Sequence, residues 1–187
     1  MICIALEGID NAGKTTLAKK LVDDLKEQNF NAIISKELTT DVGKIVKNAF
    51  KNKVKLSPKQ KTLLFASDRL QRYEELQKQN IDVLIWDRYI HSALVYREME
   101  SCDIEWVKQV NSIFPKADLS IYLEVDIDVS INRGEKANKP CPYTKEQLDK
   151  CQTIYKRYID NNELISFDSI KNYEAILTLI TKKLNEK

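Results

Sequence analysis

Short apolar runs alternate along this chain with longer stretches of helical spacing. The runs Ile2–Leu6, Ala32–Ser35, Val83–Trp86, Leu119–Leu123 and Leu164–Phe167 are compact and apolar enough to predict strands buried on both faces. Between the first two, Leu17, Leu21, Val22 and Leu25 share one face of a predicted helix over Lys14–Gln28. Ser57-Pro58 reads as an N-cap followed by proline at the first helical position, opening a helix that runs to about Gln79. Helices are also expected over Ile104–Phe114, Thr144–Asn161 and Ile170–Leu184. The segment Gly134–Pro142 is charged, contains two prolines and reads as a loop. Strands that alternate with helices imply βαβ units around a parallel sheet, hence a three-layer α/β fold, with residues 1–187 forming one domain.

Length and composition agree with that picture. A chain of 187 residues, 43% hydrophobic and 31% charged, can bury a sizeable core. Thirty basic residues against 28 acidic ones leave a net charge of +2, so no strong field points to nucleic acid or a membrane. Ile2–Leu6 is too short to span a bilayer and lacks the basic start and cleavage site of a signal peptide. The cysteines at 3, 102, 141 and 151 form no CxxC pair, and His91 is the single histidine. A zinc site or disulfide framework is therefore not expected, and reduced thiols in a cytoplasmic protein are the default.

One motif carries definite chemistry. Gly8-Ile9-Asp10-Asn11-Ala12-Gly13-Lys14-Thr15 matches GxxxxGK[ST] in full, after a predicted strand and at the start of an amphipathic helix. The two glycines let backbone N–H groups point at phosphate oxygens, and the helix N-terminus adds positive potential. Lys14 is expected to reach the β- and γ-phosphates and the Thr15 hydroxyl to take one Mg²⁺ position. Thr16 follows in the first helical turn. Nucleotide binding follows from this motif, but the reaction does not.

Two further sites are suggestive. Leu84-Ile85-Trp86-Asp87-Arg88-Tyr89 is an apolar strand ending in charge, on the side of an open sheet where ligands bind. Asp87 could hold a magnesium-bound water and Arg88 a phosphate; the alternative is a surface ion pair at a strand end. Phe65 and Arg69 lie four apart on one helix face and suit a flat, hydrogen-bonding base. Periodicity alone favours the plainer reading, with Phe65 in the core and Arg69 reaching to water.

The segments EGIDNAGKTT at Glu7–Thr16, LLFASDR at Leu63–Arg69, DRYIHSALVY at Asp87–Tyr96 and PKADLSIYLEVD at Pro115–Asp126, with Arg133-Gly134 and a following PYTKEQ, resemble the thymidylate kinases. The resemblance implies a five-stranded parallel sheet flanked by helices, a lid about Gly134–Pro142, ATP and Mg²⁺ as cofactors, a cytoplasmic homodimer, and transfer of the ATP γ-phosphoryl group to dTMP. By the same likeness, Gly8, Asn11, Ala12, Gly13, Lys14, Thr15 and Thr16 cradle ATP, and Arg133 packs on its adenine. Asp10 contacts the acceptor's 3′-hydroxyl region, Phe65 stacks on thymine, Arg69 bonds the edge of the base, and Arg88 holds the acceptor phosphate with Asp87 near the metal. Tyr96 crowds the 2′ position, Tyr143 is a lid aromatic near the acceptor sugar, and Glu37 belongs to the acceptor side.

Several positions depart from the family pattern. Lys36-Glu37-Leu38 stands where many members have Arg-Glu-Pro, so the proline is lost, as is the arginine that some members place at Leu38. The family's catalytic arginine lies in the P-loop, here Asn11, or in the lid, which has none; Lys136 or Lys139 is either a point-charge replacement or a solvated loop lysine. Ala93 and Arg97 replace residues that help read thymine. They leave open a kinase of another deoxynucleoside monophosphate or of a nucleoside. A nucleotide-dependent switch is a rival of another class, but the sequence lacks the NKxD element and any DxxG outside the P-loop. The acceptor phosphate is already ionised near neutral pH, so no histidine base is needed, and His91 is expected to be structural or exposed.

Overall fold

A computed structural model describes residues 1–186; the side chains of Ser169 and Ile170 are outside the description. Five parallel strands, β1 (Ile2–Glu7), β2 (Ala32–Lys36), β3 (Val83–Asp87), β4 (Leu119–Glu124) and β5 (Ile165–Asp168), form one sheet in the order β2-β3-β1-β4-β5. The first three strands end together: Leu6 of β1 and Lys36 of β2 both pair in register with Asp87 of β3. Strands β1 and β3 are buried throughout, but the edge strands β2 and β5 are only partly covered and β5 exposes Ile165, so expected burial on both faces fails at both edges. An edge strand has a partner on one side only and packs less.

Eight α-helices flank the sheet among the described residues. They are α1 (Lys14–Glu27), α2 (Asp41–Lys51), α3 (Pro58–Gln77), α4 (Ile90–Met99), α5 (Ile104–Asn111), α6 (Ile127–Lys136), α7 (Lys145–Asp160) and α8 (Tyr173–Asn185). Leu17, Leu21 and Leu25 of α1 and Ile176 and Ile180 of α8 pack with Ile4, Ile85 and Ile121 on one face of the sheet. Trp86 and Ala66 form part of the opposite layer, and Val95 of α4 meets Leu148 and Tyr155 of α7 beside it.

Local chemistry explains several boundaries. Ser57 accepts from the Gln60 N–H while the Gln60 side chain accepts from the Ser57 N–H, with Pro58 at the first helical position. Thr144 and Gln147 make the same reciprocal box at α7. Helices α2, α4 and α6 are not among those read from the hydrophobic pattern. The loop expected over Gly134–Pro142 starts later, because α6 continues to Lys136. The helix expected to reach Phe114 stops at Asn111, whose side-chain Nδ2 donates to the Val107 carbonyl. A 3-10 turn over Ser169–Asn172 precedes α8, displacing its start from Ile170.

Candidate active site

The turn between β1 and α1 is built to be compact. Gly8 has φ 138°, and a Cβ there would lie 2.8 Å from the Leu123 carbonyl oxygen of β4. Only glycine fits both the conformation and the space. Asn11 at φ 54° and Gly13 at φ 97° complete the wrap, and no side chain caps α1. The first-turn N–H groups therefore stay available to an anion. Lys14 is 5% exposed and curls over the turn, donating to the carbonyls of Gly8 (3.0 Å) and Ile9 (2.5 Å). Burial, with the charge of Arg88 next, pulls its ammonium down to about 7. Ala12 is buried beneath the turn, while Thr16 is exposed on α1.

Beside Lys14, three polar groups converge. The Thr15 hydroxyl donates to Asp87 Oδ2 at 2.5 Å. Lys36 Nζ donates to Thr15 Oγ1 at 2.9 Å and lies 3.0 Å from Asp87 Oδ2. Burial pushes the Asp87 carboxyl upward, but the Thr15 hydrogen bond and the Lys14 and Lys36 charges outweigh it, so the group sits below the ordinary carboxylate range. A hydroxyl and an ionised carboxylate holding a cation between them are hard oxygen donors suited to Mg²⁺. Thr15 and Asp87 therefore fit that metal.

Arg88 turns the other way. Its backbone has φ 76°, an uncommon conformation for a side chain of this size, and its N–H donates to the Leu6 carbonyl at 3.0 Å. Nη1 donates to the Gly8 carbonyl at 2.9 Å and Nη2 to Asp10 Oδ1 at 2.5 Å. The surface ion pair considered for Asp87 and Arg88 is thus absent; the two side chains serve different partners. Fully buried Glu7 fixes the bend, accepting from the Tyr89 N–H (3.1 Å) and the Ser92 hydroxyl, with the Tyr155 hydroxyl at 3.4 Å.

In front of Arg88 opens a cavity of about 340 Å³. Asp10, Asn11, Glu37, Phe65 and Arg69 line it, as do Arg88, Tyr96, Arg97 and Tyr143, all of which sequence reasoning placed on the site. Arg69 does not reach water. It is 1% exposed, with Nη1 bonded to Asn111 Oδ1 at 2.6 Å and Nη2 ion-paired with Glu37. Burial raises the Glu37 carboxyl, an effect that Arg69 opposes. Phe65 is half-buried at the wall, 6.5 Å from the Phe50 ring, with the Arg97 guanidinium 6.0 Å away. Tyr96 and Tyr143 face each other at 5.1 Å, and Arg88 lies 5.0 Å from the Tyr96 ring.

The wall also holds buried polar atoms without hydrogen-bond partners: Asn11 Nδ2, Arg69 Nε, Tyr96 Oη and Arg97 Nη1. Arg97 Nη1 comes within 3.1 Å of Glu100 Oε2 but lacks hydrogen-bond alignment. Unpaired buried polar atoms are costly.

The remaining expected residues lie on the P-loop side. Arg133 is exposed and donates to the Asn11 carbonyl at 3.3 Å. A Cβ at Gly134 would meet Asn11 Nδ2 at 2.5 Å, so the end of α6 packs directly on the turn. Of the two candidate lysines, Lys139 borders the cavity, whereas Lys136, the last residue of α6, is exposed outside its lining.

A family model described as Thymidylate kinase matches residues 6–180. The chain belongs to the thymidylate kinase family. A probable thymidylate kinase of Sulfurisphaera tokodaii is 34% identical, with 84% of this chain and 80% of the relative covered. One of Pyrococcus abyssi is 35% identical, covering 97% and 96%, and one of Methanococcus aeolicus is 32% identical, covering 98% and 96%.

Residues at this site that sequence reasoning missed include Glu7, Lys61, Ser92, Asn111 and Cys141. Only Glu7 carried a signal, as an acid closing an apolar strand directly before the P-loop. Lys61 lines the cavity and pairs with Glu100, and the Cys141 thiol donates to Asp10 Oδ2 at 3.5 Å.

Proposed function

We propose that this chain transfers the γ-phosphoryl group of ATP to dTMP, giving dTDP and ADP. The observation that carries the reading is the position of Arg88, bonded at once to the Gly8 carbonyl and Asp10 and open to the cavity. A guanidinium there can take the acceptor phosphate within reach of the turn that cradles the donor's phosphates.

In this reading Lys14 and the first-turn N–H groups hold the β- and γ-phosphates, and Arg133 packs on adenine. Thr15 and Asp87 would hold Mg²⁺, which when bound would neutralise charge on the phosphate oxygens. Arg88 aligns the acceptor phosphate oxygen for in-line attack, with no separate general base. Asp10 receives the 3′-hydroxyl region, Phe65 the base face, Arg69 and Arg97 the base edge, and Tyr96 the 2′ side. Glu37 keeps Arg69 oriented. Tyr143 and the segment after α6 exclude water above the transfer. Lys139 is the lid cation favoured to face the phosphates, because it borders the cavity.

The whole chain acts as one domain in this proposal, in a cytoplasmic homodimer. Among the described residues no helix is long and apolar enough to cross a membrane. Ile45, Phe50, Val54, Leu63 and Leu70 on and beside α2 and α3 expose apolar surface that a second copy would cover.

Incubating the protein with ATP and Mg²⁺ plus single nucleoside monophosphates or nucleosides tests the reading. dTDP should be the main product. Preference for a nucleoside, or free phosphate without a phosphorylated acceptor, would overturn it.

A further inference from the structure

We infer that the Lys36 ammonium is a resident cation on the metal-facing pair, which Mg²⁺ must displace when it binds. This rests on the reading of Thr15 and Asp87 as that pair. Lys36 closes β2 exactly where β3 closes with Asp87, and sheet register places the two residues side by side. Its Nζ lies 2.9 Å from Thr15 Oγ1 and 3.0 Å from Asp87 Oδ2, while Thr15 and Asp87 are themselves 2.5 Å apart.

The three contacts set the ammonium against the two oxygens a metal would use. The Thr15 hydroxyl proton points to Asp87, and one of its two lone pairs receives the ammonium. Magnesium binds oxygen at about 2.0–2.1 Å, and an ammonium 2.9 Å from Thr15 Oγ1 and 3.0 Å from Asp87 Oδ2 fills the space between those oxygens where the metal would sit. Mutual repulsion of the two cations adds to the exclusion. Lys36 can leave: its side chain is 41% exposed on a flexible four-carbon stem, unlike Lys14, which is 5% exposed. The pair thus stays neutralised without ligand, and the ammonium is freed at the mouth of the P-loop when metal arrives.

Titrating nucleotide-free enzyme with Mn²⁺ and following free metal by electron paramagnetic resonance tests the exchange without relying on activity. Lys36→Met and Lys36→Gln should bind Mn²⁺ about tenfold more tightly than wild type, as expected when one positive charge leaves a part-exposed cation site. Lys36→Arg should keep the weaker, wild-type-like binding. Asp87→Asn in the Lys36→Met background should abolish the gain. Unchanged or weaker Mn²⁺ binding in both neutral variants, with Asp87→Asn still lowering wild-type binding, would overturn the role of Lys36 alone. If Asp87→Asn leaves wild-type Mn²⁺ binding unaltered, the metal-facing pair is wrong and the inference falls with it.

Discussion

Arg88 Nη2 donates to Asp10 Oδ1 at 2.5 Å, joining the end of β3 to the phosphate-binding turn across 78 residues of sequence. The contact gives the guanidinium a fixed direction before substrate arrives. Its second arm on the Gly8 carbonyl makes the same cation part of the turn itself. In the proposed reading donor and acceptor sides therefore share one element, and small displacements there should matter greatly for transfer.

Arg88→Ala should lower kcat/KM for dTMP by roughly 10²–10⁴-fold, because a charge-assisted contact to a reacting group is lost. The KM for ATP should move far less. Steady-state kinetics with each substrate varied, alongside a melting curve, checks this; an equal loss on both substrates would point to a collapsed turn.

Tyr96 stands 6% exposed against Arg88 and Tyr143. If its bulk excludes a 2′-hydroxyl, Tyr96→Ala should narrow discrimination between dTMP and its ribose counterpart by about tenfold. Tyr96→Phe should leave it nearly intact. Relative kcat/KM for the two monophosphates is the readout.

Glu37 compensates an arginine whose side chain is fully buried. Glu37→Leu strands that charge and should cost about 3 kcal/mol of stability, measured by urea unfolding. Glu37→Gln, which keeps an acceptor, should cost less.

Cys141 offers a pH test of the cavity wall. Burial, with neighbouring Asp10 also contributing, raises its thiol above the ordinary value, so little thiolate exists at neutral pH. Alkylation by iodoacetamide should be slow near pH 7 and accelerate as pH rises beyond the usual thiol range. Saturating dTMP should slow it further, since Cys141 lines the same cavity as Asp10. Mass spectrometry resolves this site from Cys151, whose buried thiol is pushed up to about 12.

Much of this arrangement is legible in the sequence. The strands announce themselves because buried parallel strands are continuous apolar runs, and the P-loop because its glycines are dictated by backbone geometry. Helix α4 is harder. Leu94, Val95, Tyr96 and Arg97 are consecutive and all buried, which erases an amphipathic stripe, and no side chain caps its start. Helix α2 hides for another reason, since it exposes Ile45 and Phe50 and contains Gly43. Arg69 shows the limit of periodicity: spacing predicts a side chain reaching water, while Glu37 and Asn111, distant in sequence, keep it inside. The Lys36–Thr15–Asp87 cluster likewise depends on strand register, which no local pattern reveals.

In the proposed function the P-loop and Arg88 grip two different phosphates across one cleft. Calorimetry with adenosine and thymidine joined through a pentaphosphate tests it most directly. Such a compound should bind at least about 10²-fold more tightly than either nucleotide alone, because its second half binds intramolecularly. Lys14→Ala and Arg88→Ala should each remove that gain. Affinity no better than that of the tighter single nucleotide would contradict the account.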